Sequence, residues 1–108
     1  MLDLPLEHFE RLLDQTTDLL IKRYSDLETA PAFCGKTPRE IEALFDEPLP
    51  ESGMEIERVL ELVDEKVIQL ATLNTGPNYY SYVLAPGTQV SLMGELLQAS
   101  INQNVTKW

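Results

Sequence analysis

Beyond Lys66 the chain carries only two charged residues, Glu95 and Lys107, in its remaining 42 positions. A typical globular domain is about one-quarter charged residues, and its surface has to meet water. Residues 1–66 hold 17 of the 18 acids and seven of the eight bases, so the formal charge of −10 belongs to that part. A neutral stretch this long is too much to leave facing solvent. It is expected to be covered by a second surface, which restricts the fold more than any single motif does.

The length of 108 residues allows one domain with a modest core. With a pI near 4.3, the chain repels phosphate backbones and anionic lipid, so neither nucleic acid nor a membrane surface is an expected partner. No apolar run approaches the ~20 residues of a membrane span. The start, Met1-Leu2-Asp3-Leu4-Pro5, lacks the basic and apolar regions of a secretory signal. Cys34 is the sole cysteine, so no disulfide forms within one chain, and a reducing cytoplasm is expected.

Periodicity predicts an all-α chain with helices over about 4–24, 38–45, 53–71 and 88–101. In the first, Leu6, Phe9, Leu13, Thr16 and Leu20 follow helical spacing, Leu12 and Leu19 widen the stripe, and Asp3 is a candidate cap. Thr37-Pro38-Arg39-Glu40 reads as a capping box with proline at the first helical position. Pro48 and Pro50 then forbid continuation. Ser52-Gly53-Met54-Glu55 reads as a second capping box, ahead of a stripe of Ile56, Val59, Leu60, Val63, Val67 and Leu70. On its polar face Glu57, Glu61 and Glu65 repel at i, i+4. Thr88 is a candidate cap for the last helix, whose Val90, Met93, Leu96, Leu97 and Ile101 are apolar. Between the last two helices, residues 78–87 form an uncharged, tyrosine-rich extended stretch.

These residues do not assemble a catalytic centre. His8 has no second ligand at metal spacing, Cys34 has no base beside it, and no glycine-rich phosphate loop is present. The tyrosine stretch admits two readings: a wall for a planar or apolar ligand, or plain covering for the helices.

Three stretches, Gly76-Pro77-Asn78-Tyr79-Tyr80-Ser81-Tyr82-Val83, Ser91-Leu92-Met93-Gly94-Glu95-Leu96-Leu97 and Asn102-Gln103-Asn104-Val105-Thr106-Lys107-Trp108, occur in the order seen in one family. Together they resemble the N-terminal segment of the group II pyridoxal-phosphate-dependent decarboxylases, which act on aromatic amino acids, histidine or glutamate. Two departures stand out. Gly76 lies where many members carry His, and Val83 and Ala85 lie where aromatic decarboxylases often place Phe and Thr.

The resemblance implies a helical dimerisation segment spanning residues 1–108, with little core of its own, that packs across the partner subunit of a homodimer. It implies that Tyr82, Val83, Leu84 and Ala85 face the substrate side chain, with Tyr79 and Tyr80 supporting that wall. It implies that Asn104 and Thr106 reach toward the other subunit's site. The cofactor, pyridoxal phosphate, supplies the electron sink for loss of the carboxylate as CO₂, and its ligands are expected in a catalytic domain beyond Trp108. Lys22, Lys36, Lys66 and Lys107 match none of them, so the chain alone is expected to be inactive. Alternatives outside this reading are a stand-alone all-α homodimeric interaction module without enzymatic activity and an unrelated all-α interaction protein.

Overall fold

The computed structural model describes residues 4–81 and 87–101, which form four helices and, among the described residues, no strand. Helix α1 spans Leu6–Ser25, α2 Pro38–Phe45, α3 Ile56–Val63 and α4 Gln89–Ile101, and α3 runs on into one π-helical turn, Asp64–Ile68. The expected all-α class holds, and the four bounds fall close to those predicted from periodicity.

Helix α1 begins after Pro5, with no side-chain cap; Asp3 lies outside the described residues. Leu12, on the flank of the predicted stripe, is its buried residue, whereas Leu6 and Phe9 are exposed. Helix α2 forms as its sequence dictates. Glu40 donates its backbone N–H to the Thr37 hydroxyl at 3.3 Å, and the Glu40 carboxylate accepts from the Thr37 backbone N–H at 2.7 Å. The second capping box does not form: Glu55 is the N-cap of α3 and makes no capping side-chain bond. A helix starting at Ser52 would place Gly53 in its first turn, where glycine loses the most backbone entropy. The helix starts instead at Ile56, the first residue of the apolar stripe. Thr88 does cap α4, but its partner is Ser91, through reciprocal backbone-to-hydroxyl bonds of 3.0 and 3.1 Å.

The π-helical turn corrects the end of the predicted third helix. Gln69 donates its backbone N–H to the Asp64 carbonyl at 3.0 Å, a span of five residues, and regular helix stops at Ile68 rather than near residue 71. The wider turn rotates later residues backwards around the axis. Ile68 is half-buried, while Val67, predicted on the stripe, is 49 % exposed.

Long side chains, more than a core, hold the helices together. Across α1 and α3, His8 Nε2 meets Glu57 Oε1 at 2.7 Å and Lys22 Nζ meets Asp64 Oδ2 at 3.4 Å. The guanidinium of Arg23 donates to the carbonyls of Ile68 at 3.0 Å and Thr72 at 3.5 Å. Lys66 binds the end of α2 through the Leu44 carbonyl at 2.7 Å, the Glu47 carboxylate and the face of Phe45. The acidic face of α3 is partly answered, since Arg58 pairs with Glu61 at 2.7 Å and His8 with Glu57.

Among the described residues only Leu12, Ala32 and Leu73 are buried apolar side chains. The chain exposes 9684 Å², whereas a compact monomer of this mass exposes about 6,100 Å². Its radius of gyration, 17.1 Å, exceeds the ~13 Å of a compact domain of this length. Every residue of α4 is exposed, with Val90, Met93, Leu96, Leu97 and Ile101 each more than half open to solvent.

Candidate functional site

The segment leading into the tyrosine stretch is fastened to the connector between α1 and α2. Leu73 donates its backbone N–H to the Ala32 carbonyl at 2.9 Å, and Asn78 Nδ2 donates to the Ala30 carbonyl at 3.4 Å. Gly76 turns the chain close against the connector. A Cβ placed there would lie 3.1 Å from the Leu27 carbonyl oxygen and 3.2 Å from Leu73 Cδ2. Any larger residue here would require the Leu27 and Leu73 backbone to give by a few tenths of an ångström. Tyr79 closes the arrangement by resting its ring on Phe33, with centroids 5.9 Å apart and planes tilted by 38°.

Of the residues expected to build the substrate wall, Tyr79 is half-buried on Phe33, while Tyr80 is 90 % exposed. Tyr82, Val83, Leu84, Ala85, Asn104 and Thr106 lie outside the described residues. Phe33 was missed by sequence reasoning, because its contact with Tyr79 joins segments 46 residues apart.

Next to this cluster, α1, the connector and the π-helical turn enclose an open groove of about 310 Å³, lined by Leu19, Lys22, Arg23, Asp26, Cys34 and Asp64 among others. Its cations are already engaged, Lys22 by Asp64 and Arg23 by two carbonyls. Its two carboxylates, Asp26 and Asp64, offset the charge of those cations.

Pyridoxal phosphate needs a lysine amine free to form an imine and donors around its phosphate. Lys22 is paired in the groove, and Lys66 is tied to the end of α2 on another side of α3. The lining of this groove does not fit the cofactor. Among the described residues no group of three or more His, Cys, Asp or Glu is placed to hold a metal ion, and no helix is long and apolar enough to cross a membrane.

Two carboxyl groups are perturbed for local reasons. The Thr37 backbone N–H, then its hydroxyl, hold Glu40 below the usual carboxylate range. Glu57 is lowered first by its own backbone N–H at the start of α3 and then by His8. Both serve helix ends and contacts between helices.

Against known proteins, the chain aligns over 102 residues, 94 % of its length, with plant amino-acid decarboxylases. It is 28 % identical to tyrosine/DOPA decarboxylase 3 of Papaver somniferum and covers 19 % of that protein. Its identity to L-tyrosine/L-DOPA decarboxylase 2 of Lophophora williamsii is also 28 %, over 20 % of that protein, and to tyrosine decarboxylase 1 of Narcissus pseudonarcissus 24 %. The chain is similar to tyrosine/DOPA decarboxylases. It spans about a fifth of the length of these decarboxylases, and the similarity agrees with the resemblance drawn from residues 76–108. No family model matches the chain, and no solved structure matches it.

Proposed function

We propose that this chain is the N-terminal helical segment of a pyridoxal-phosphate-dependent L-amino-acid decarboxylase, packing across the partner subunit of a dimer and contributing wall to the substrate pocket. The observation that carries the reading is similarity to tyrosine/DOPA decarboxylases along 94 % of the chain. Aromatic L-amino acids of the tyrosine and DOPA type are accordingly the proposed substrates. The cofactor and its ligands belong to the rest of such an enzyme. This segment's own work is to shape the pocket, orient the substrate side chain and exclude water.

Two physical features support the interface half of the reading. The 42 residues after Lys66 carry only two charges, and α4 keeps its apolar residues exposed. An uncovered apolar surface of this kind is typical of a protein contact.

The test is made on the complete encoded protein, purified and supplied with carboxyl-labelled L-tyrosine and L-DOPA. Release of labelled CO₂ that depends on added pyridoxal phosphate is expected. A protein that releases no CO₂ from any common L-amino acid overturns the reading.

A further inference from the structure

The capping box that does not form, Ser52-Gly53-Met54-Glu55, leaves its two side chains uncommitted. Glu55 opens α3 without using its carboxylate as a cap, and the Ser52 hydroxyl makes no hydrogen bond among the described residues. The hydroxyls of Ser25, Thr37, Ser91 and Ser100, by contrast, are each taken by a bond within or beside a helix. Residues 45–56 are all exposed, and the backbone of residues 48–54 makes no hydrogen bond among the described residues. Pro48 and Pro50 keep this stretch out of both helix and sheet. Ser52 therefore lies on an open strip that can enter another protein's cleft while every helix stays folded.

The strip is also strongly acidic. Residues 46–57 carry five acids, Asp46, Glu47, Glu51, Glu55 and Glu57, and no lysine or arginine. Glu47 is held by Lys66 and Glu57 by His8, but Glu51 and Glu55 make no ion pair among the described residues. They stand one residue before and three residues after the serine. An uncommitted hydroxyl between two uncommitted carboxylates is complementary to a cleft lined by guanidinium or ammonium groups.

We propose that Ser52 is a phosphorylation site for an acid-directed serine kinase, whose substrate cleft offers cationic side chains to Glu51 and Glu55. The Ser52 Oγ attacks the γ-phosphorus of ATP. A new Oγ–P bond replaces the bond from that phosphorus to the oxygen bridging it to the β-phosphate. ADP leaves with the electron pair, and the hydroxyl proton passes to the kinase's own base. The site needs nothing from the decarboxylase reading, since none of these residues belongs to the expected substrate wall. Removing the charge from one contact in such a cleft corresponds to about a tenfold loss, which sets the size of effect to look for.

The experiment incubates the complete encoded protein, folded, with labelled ATP and an acid-directed serine/threonine kinase, and locates the phosphate by peptide mass spectrometry. Stoichiometric label on Ser52 is expected, absent in Ser52→Ala and slowed about tenfold in initial rate in Glu55→Gln. Glu42→Gln, at an exposed position of α2, is expected to keep the unsubstituted rate. Circular dichroism is expected to be the same for all variants, because the side chains removed at 52 and 55 make no bond. No phosphate on Ser52, or label confined to another serine or threonine, overturns the proposal. Equal rates for Glu55→Gln and the unsubstituted protein do so as well, because the acidic strip would then play no part in recognition.

Discussion

The backbone N–H of Leu73 donates to the carbonyl of Ala32 across 2.9 Å, and these two residues are two of the three buried apolar positions described. The bond joins the segment after α3 to the connector after α1. Among the described residues, two of the three buried apolar side chains thus meet where two loops touch.

Leu73→Ala is therefore expected to cost about 2 kcal/mol or more, in the range for truncating a buried leucine. Leu49→Ala, at a position 91 % exposed, is expected to cost nothing measurable. Thermal unfolding followed by circular dichroism compares them, and equal midpoints for the two variants would remove Leu73 from the core.

Gly76→Ala meets backbone on two sides, the Leu27 and Leu73 carbonyl oxygens at 3.1 and 3.3 Å. Overpacking of this kind costs about 1–3 kcal/mol. At Gly53 an added Cβ meets nothing within 4 Å and φ is not positive, so Gly53→Ala is expected to be neutral or to stabilise by up to ~1 kcal/mol. Opposite shifts in denaturation midpoint are the expected pattern.

Arg23 supplies donors to two carbonyls at the end of the third helical segment. Charged donors contribute about 1.5–3 kcal/mol per bond when the acceptor is shielded from water, so Arg23→Ala is expected to cost about 2 kcal/mol. Lysine reaches one carbonyl at a time, and Arg23→Lys is expected to recover part of that loss. Full recovery by lysine in urea titrations would mean that the second bond contributes nothing.

Glu40 and Glu57 both ionise below the ordinary carboxylate value of 4.5. A depressed carboxyl stabilises the fold above the unfolded-state pKa and loses that contribution as pH falls through the lowered value. Helicity is thus expected to be constant above about pH 5 and to decline below 4.5. Glu40→Gln retains an acceptor for the Thr37 N–H while removing the titration, so its acid transition is expected to flatten. Thr37→Ala is expected to lose about 1 kcal/mol at neutral pH.

If α4 lies in a dimer interface, a charge on its apolar side has to weaken association. Met93→Glu and Leu97→Glu in the complete protein are expected to lower the mass seen by light scattering toward that of the monomer. Retention of the full mass by both variants would take α4 out of the contact.

Local chemistry made much of this fold legible. The box at Thr37 and Glu40 needs only four consecutive residues, and it formed where the sequence placed it. The box at Ser52 looked equally good, but it competed with the apolar stripe that begins at Ile56, and packing chose the start of the helix. The π-helical turn was not legible, because one residue's difference in backbone bonding moved Ile68 inward and Val67 outward without altering the apolar count. Phe33 was invisible for a related reason: its partner, Tyr79, is brought to it by tertiary contacts that no window of sequence contains. The roles expected of Tyr82 to Ala85 and of Asn104 and Thr106 were reached only through the resemblance.

An unfolded chain of this mass exposes about 17,700 Å². Folding to 9684 Å² withdraws roughly 70 % of the area that a compact domain of equal mass withdraws. The denaturant slope of unfolding scales with that area, so the sparse core sets how sharply the molecule melts as well as how firmly it holds. On its own, the chain is expected to show a shallow, weakly cooperative transition. If α4 is covered in a dimer, as proposed, the curve is expected to steepen on association.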